Sequence, residues 1–248
     1  MIEHRPFAHL FGGDRGWLKA KVHFLPSDVT PFAKDDRNRL FGTLLAWSDD
    51  EISPRSGFPM HPHSDLEIVT YVRDGTITHQ DTLGNKGRIA AGEVQVTSAG
   101  AGIRHSEVNA DDELARLFQI WFQPRTSGGS PQYSGRTFPT GKEAGKFVIL
   151  ASGDPADTDA LKINADARVL NAALKGGETL VRPMARGTRG YLVPTTGRVA
   201  VNGWEIGPRD GAAIHDEATI SVKAIEDTEI ILVELITDVE SAPKADAA

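Results

Sequence analysis

The sequence predicts an all-β chain of two tandem antiparallel β-sandwich or β-barrel domains. Short runs rich in β-branched and aromatic residues recur every ~8–12 residues with glycine turns between them, as in a sandwich or barrel. No long amphipathic helical pattern interrupts the 248 residues. The two halves also rhyme: Thr70-Tyr-Val-Arg-Asp-Gly-Thr-Ile-Thr, followed by Ile89-Ala-Ala-Gly-Glu, parallels Gly190-Tyr-Leu-Val-Pro-Thr-Thr-Gly-Arg-Val, followed by Ile206-Gly-Pro-Arg-Asp. The offset of ~120 residues is the size of one domain. The expected partition is 1–130 for the N-terminal domain, 131–238 for the C-terminal domain and 239–248 for a flexible tail.

Taken in order, residues 17–24 form a β-like run, and the Pro/Asp-rich residues 26–39 read as a loop. Residues 41–47 predict a strand, ended by a turn at Asp49-Asp50-Glu51. Residues 66–72 are apolar at both parities, so that strand is expected to be buried on both faces. Asp74-Gly75 is a hairpin dipeptide, and residues 76–80 return from it. Gly84-Asn85 turns the chain into 87–91, then 93–97 follows, Gly100-Ala-Gly102 breaks the pattern, and 115–122 closes the half. Residues 124–145, rich in Gly, Ser and Pro, read as the connection between halves. Strands resume at 147–150, 167–174, 190–193 and 197–201. Asn202-Gly203 is a strong hairpin signal, with further strands at 204–206, 212–215, 218–222 and 229–236.

Composition narrows the function. A hydrophobic share of 40% and a charged share of 25% are those of an ordinary globular protein. The net charge of −7 comes without any basic cluster, which argues against a nucleic-acid partner. With no cysteine, disulfides, thiolate nucleophiles and Cys-type metal sites are excluded. The N-terminus lacks an apolar signal core and no run of ~18 apolar residues exists, so the expected location is the cytoplasm, away from membranes.

Two matched pairs carry the chemistry: His61-x-His63 and His105-x-Glu107. Residues two apart on a strand point to the same face. If the two strands are neighbours, four donors converge. Three neutral imidazoles and one carboxylate suit a first-row transition metal, whereas calcium wants an all-oxygen shell. Elsewhere, His79 reads as structural or surface because nothing pairs with it at ligand spacing. His215 has no His-x-His partner, so the second half is expected to have lost its site. His4, His9 and His23 carry no signal. Gly100-x-Gly102 lacks the Gly-Lys-Ser/Thr and helix of a phosphate loop. Trp47, Phe118, Trp121 and Phe122 are expected in the core.

The 57–109 stretch resembles the cupin superfamily. Gly57, His61, His63 and Glu67 fit its first motif, and Gly102, His105 and Asn109 its second. More closely, His61-Pro-His63-Ser-Asp-Leu-Glu67, His79-Gln-Asp-Thr-Leu-Gly-Asn-Lys86 and Ser98-Ala-Gly-Ala-Gly-Ile-Arg-His-Ser-Glu107 are similar to the pirin family, in particular to bacterial pirin-like proteins with quercetin 2,3-dioxygenase activity. The resemblance implies a bicupin of two jelly-roll domains with one divalent transition metal ion, in the N-terminal cupin. The implied ligands are His61, His63, His105 and Glu107; iron is the first choice, ahead of copper, nickel, manganese, cobalt or zinc. Glu67 is then a supporting hydrogen-bonder rather than a ligand. Ser64-Asp65-Leu66 replaces an Arg-Gly-Phe-type segment of many pirins, which weakens any carry-over of the transcriptional role of animal pirins.

In function, the resemblance implies a metal-dependent dioxygenase that cleaves a flavonol such as quercetin with release of carbon monoxide. Its partners are then a small aromatic substrate and dioxygen, with the protein a monomer. His61, His63 and His105 hold the ion and Glu107 takes the substrate's hydroxyl proton. Two alternatives stand beside it: a non-enzymatic metal-binding regulator acting through protein partners, and a cupin enzyme with another small-molecule substrate. A pocket lined by Lys and Arg would mark an acidic substrate, and an apolar pocket a flavonoid.

Overall fold

A computed structural model describes residues 1–25, 41–138 and 145–236. Among them the chain is all β, with one turn of 3-10 helix at Phe7–His9 and no helix long and apolar enough to cross a membrane. The expected loop at 26–39 and the tail at 239–248 lie outside the described residues.

Each half is one large and one small sheet. In the N-terminal half, a seven-stranded sheet runs Gln132–Thr137, Glu93–Ser98, Glu67–Asp74, Ala115–Phe122, Leu44–Ile52, Leu18–Phe24, Phe11–Asp14. Its four-stranded companion runs Ser56–His63, Ile103–Asn109, Thr76–Asp81, Lys86–Ala90. In the C-terminal half the large sheet runs Ile2–Arg5, Gly211–Ile214, Arg189–Thr196, Thr228–Leu235, Ala167–Leu174, Val148–Ser152, Leu161–Lys162. Thr179–Pro183, Thr219–Ala224, Val199–Val201 and Trp204–Ile206 form the small one. The first strand of the chain thus pairs in the second half, opposite Gly211–Ile214.

The sequence rhyme is a real structural repeat. Gly75 carries the chain from the Glu67–Asp74 strand of the large sheet into the small sheet, and Gly197 does the same after Arg189–Thr196. Their φ values are 69° and 65°. A Cβ at Gly75 would meet the Leu114 carbonyl oxygen at 2.6 Å, and one at Gly197 would meet that of Asp227 at 2.3 Å. Both corners therefore require glycine for the same reason. Asp74-Gly75, expected as a hairpin, is instead this corner: the strands on either side of it belong to different sheets. Asn202-Gly203 does form the expected hairpin, pairing Val201 with Trp204.

The Glu67–Asp74 strand at the centre of its large sheet is buried on both faces, as the apolar 66–72 run predicts. Val69, Tyr71, Val94, Phe118 and Phe122 on one side pack with Val169, Tyr191, Val193, Ile231 and Val233 on the other in one continuous core. Each large side chain so buried contributes roughly 1.5–3 kcal/mol. The halves are therefore joined by a hydrophobic interior.

Asp49-Asp50-Glu51 does not turn the chain; it lies inside the Leu44–Ile52 strand. Asp49 is fully buried and is held by Arg73 and by Arg209 of the other half, the latter at 2.7 and 3.1 Å. Ser48 donates to Asp50 at 2.8 Å. Asp49 and Glu51, which look like turn charges in sequence, are satisfied by arginines far along the chain. Likewise the 124–145 connection contains the strand Gln132–Thr137, which pairs with Glu93–Ser98.

Candidate metal centre

The site lies inside the N-terminal barrel, between two apolar plugs. Ile52, Val72, Ile77, Ile89 and Leu117 close one end, and Leu66, Ile68, Ala99 and Ile103 fill the other. Strands Ser56–His63 and Ile103–Asn109 are antiparallel neighbours, with His105 opposite His61 and Ile103 opposite His63. The register then slips: Glu107 faces Phe58, so the first strand holds one extra residue. That bulge falls at Pro59-Met60, where proline has no ladder donor to lose. The Pro59 carbonyl accepts a 2.8 Å hydrogen bond from Nδ1 of His61 and aims that ring. At Gly57 a Cβ would lie 2.4 Å from the Glu107 carbonyl oxygen, which explains the glycine of the first motif.

His61, His63 and His105 converge. Their ring centroids are 4.5–5.0 Å apart, and Nε2 of His61 is 3.1 Å from Nε2 of His105. Two nitrogens bound to one ion at ~2.0–2.1 Å, at angles between right and tetrahedral, stand about 2.8–3.4 Å apart. Donor type and spacing both fit a transition ion. Burial, with His105 and then His61 adding to it, holds His63 down at about 4. Burial, then His61 and His79, hold His105 down at about 3. Near neutral pH both rings keep the lone pairs that metal binding requires.

Glu107 is brought close but sits one step deeper. Its carboxylate groups with His105 and with His79, not with the His61–His63–His105 cluster. Both its oxygens are already engaged. Oε1 accepts from Gln95 at 2.6 Å and from Thr70 at 3.3 Å, and Oε2 accepts from Gln119 at 2.6 Å. All three donors are neutral and stand on the inner face of the large sheet. Glu107 is 2% exposed.

One expectation changes, for Trp121, and two are narrowed, for His79 and Glu67. His79 is no surface residue: it is fully buried opposite Glu107, bonded through Nε2 to Asp81 at 3.1 Å and stacked on Tyr133 at 4.0 Å. Tyr133 comes from the unexpected Gln132–Thr137 strand and also donates to Gln95 at 3.2 Å. Trp121 is only partly buried; its ring stands edge-on to His63 at 5.4 Å, forming a wall of the site rather than core. Glu67 faces away from the imidazoles, on the same side of its strand as Val69 and Tyr71. It accepts from Ser98 at 2.6 Å and from the Asn164 backbone N–H of the other half, and burial raises its pKa. Asn109 ties loops together, donating to the carbonyls of Ile52, Ser53 and Glu113.

Residues 8–122 match the Pirin family and residues 149–235 match the quercetinase C-terminal cupin domain. The chain belongs to the pirin family. A pirin-like protein of Caulobacter vibrioides is 55% identical over 236 residues, which are 94% of this chain and 99% of that protein. The quercetin 2,3-dioxygenase of Escherichia coli K12 is 41% identical over 196 residues, 79% of this chain and 83% of that enzyme. Among solved structures, the bacterial pirin YhhW of Escherichia coli in complex with nickel(II) matches with a TM-score of 0.86 at 36% identity, covering 95% of this chain and 99% of that one.

Within this pirin bicupin, only the first half offers a metal-capable cluster among the described residues. Four residues beyond the equivalent corner glycines, His79 corresponds to Val201. Their cross-strand partners, Glu107 and Val222, correspond in turn, and two residues earlier His105 corresponds to Ile220. Val201, Val222 and Ile220 are fully buried and apolar. His215 lies outside this position, with its ring against Phe41 at 5.0 Å.

Proposed function

We propose that this pirin is a metal-dependent dioxygenase acting on a flavonol such as quercetin. The observation that carries the reading is the convergence of three imidazoles, one of which, His63, also lines an open, mainly apolar cavity of about 400 Å³ with Pro62, Ser64, Thr82, Gly102, Ile103 and Arg104. That volume lies in the usual range for a small-molecule site. Arg104, the one charged residue on its wall, donates to the Met60 carbonyl at 3.2 Å. The cavity therefore suits a planar, weakly acidic aromatic molecule better than a phosphorylated one. The dioxygenase name of the Escherichia coli relative supports the same substrate class.

A bound divalent ion, iron first among the candidates, supplies Lewis-acid polarisation of adjacent hydroxyl and carbonyl oxygens. His61, His63 and His105 hold it. Trp121 and Ile103 keep water from the wall beside His63. Glu107 would either complete the ligand set or take the substrate's hydroxyl proton on a carboxylate oxygen. Gln95 and Gln119 hold that carboxylate in one place, so proton uptake from a substrate would require it to leave one of these amides. Dioxygen is the second substrate, and the protein works as a monomer.

The test is anaerobic loading with iron(II) or nickel(II), metal analysis, then oxygen uptake and carbon monoxide release with quercetin. The reading expects turnover only in the loaded protein. A fully loaded protein that leaves quercetin intact would overturn it.

A further inference from the structure

Two buried ring nitrogens at the back of the cluster have no hydrogen-bond partner among the described residues: Nδ1 of His79 and Nδ1 of His105. Both residues are fully buried. Their rings are 5.5 Å apart and inclined at 70°. One ligand-capable atom from each ring and one Glu107 oxygen lie within 4.8 Å of one another. A buried polar group left without a partner is costly, so two side by side call for an explanation.

Proton placement supplies it. His61 gives its Nδ1 proton to the Pro59 carbonyl, so its Nε2 presents a lone pair toward Nε2 of His105. An ion held between these atoms requires a lone pair on His105 Nε2 as well, which forces the His105 proton onto Nδ1, inside the barrel. On the far side, Asp81 accepts from Nε2 of His79, so His79 carries its proton there and presents Nδ1 as an acceptor. Asp81 is itself fixed by the backbone N–H groups of Leu83 and Asn85 and by the Asn85 amide. A donor and an acceptor therefore sit on neighbouring rings with no direct bond between them.

We propose that His79 is a positioning residue for the metal centre, acting through one buried water. The water accepts from His105 Nδ1–H and donates to His79 Nδ1 and to Glu107, which gives it the three bonds usual for an internal water. Asp81, His79 and the water then form a chain that sets the tautomer and angle of His105, as outer partners do for metal-bound imidazoles. Tyr133 clamps the chain from the side by stacking on His79. This rests on the reading of His61, His63 and His105 as metal-holding.

The experiment compares nickel(II) affinity, by chelator competition, in the unaltered protein, His79→Phe and His79→Asn. Phenylalanine keeps the stack on Tyr133 and removes the acceptor; asparagine restores an acceptor near the Nδ1 position. The expected result is a 10–100-fold loss for His79→Phe, with recovery to within a few-fold for His79→Asn. Unchanged affinity in His79→Phe overturns the proposal, as does a stoichiometry of two ions per chain, which puts a second ion where the water is placed. Failure of the unaltered protein to bind nickel would instead defeat the metal reading itself. Nitrogen-15 NMR of the zinc-loaded, unmutated protein tests the same point without a variant. It should show His105 protonated at Nδ1 and His79 protonated at Nε2, and the opposite tautomer at His79 overturns the proposal.

Discussion

The two small sheets of this molecule occupy equivalent places in two copies of one frame, yet their interiors are opposites. In the first, His79, His105 and Glu107 are buried among the amides of Gln95 and Gln119. In the second, Val201, Ile220 and Val222 fill the same positions and join Leu192, Ile206 and Leu232 in an apolar cluster. The frame tolerates either filling because the corners and the shared core are set elsewhere, by Gly75, Gly197 and the faces of the large sheets. A polar interior is stable only when each group is paired, so the first sheet has to be matched strand by strand. The second needs only volume.

The largest expected effect comes from removing the feature that separates the halves. His61→Ala or His105→Ala should lose bound nickel and quercetin turnover together, by more than the 10–100-fold that loss of an outer support costs; metal analysis after dialysis reads the first and oxygen uptake the second. Glu107→Gln should keep substantial metal while turnover falls by ~10²–10⁴-fold, the usual contribution of a positioned base. It should also lose about 1–3 kcal/mol of stability, because the new amide faces the N–H of Gln95 or Gln119. Turnover at the unmutated rate would remove the base role.

Making the second half resemble the first sharpens the contrast from the other side. Val222→Glu buries a carboxylate with no amide pair to receive it. A loss of about 3–5 kcal/mol is expected in denaturant titration, the cost of an uncompensated buried charge. A cost under 1 kcal/mol would mean that the two interiors are interchangeable.

The smallest effects concern pH. Burial holds His23, fully enclosed beside Tyr191, down at about 3, below its unfolded value of ~6.5. Between those values the unfolded chain binds more protons, so this contribution to stability is present above pH ~6.5 and fades as pH falls. Burial pushes Asp50 the other way, up to about 7; its contribution fades as pH rises from ~3.9 toward that value. His23→Phe and Asp50→Asn should therefore change the slope of stability against pH in opposite directions, each by at most about 1.4 kcal/mol per pH unit.

Legibility followed the range of the cause. The pairs His61-x-His63 and His105-x-Glu107 are visible because a strand repeats every two residues. Gly75 shows as a turn because its backbone need is local, but that it is a corner between sheets and not a hairpin depends on strands far along the chain. The Asp49 strand and the His79 site do not show, because Arg209, Tyr133 and the Glu107 clamp reach them from distant strands. Glu67 is a supporting hydrogen-bonder and not a ligand, as read, but its strand turns that face toward the other half and not toward the imidazoles. The bulge at Pro59-Met60 is equally hidden.

The most direct test of the contrast between the halves is metal stoichiometry, read together with the X-ray absorption fine structure of the nickel-loaded protein. One ion per chain, with imidazole nitrogens at ~2.0–2.1 Å and loss of the ion in His105→Ala, is the predicted result. Full occupancy in His105→Ala, or an ion without imidazole ligands, would contradict it.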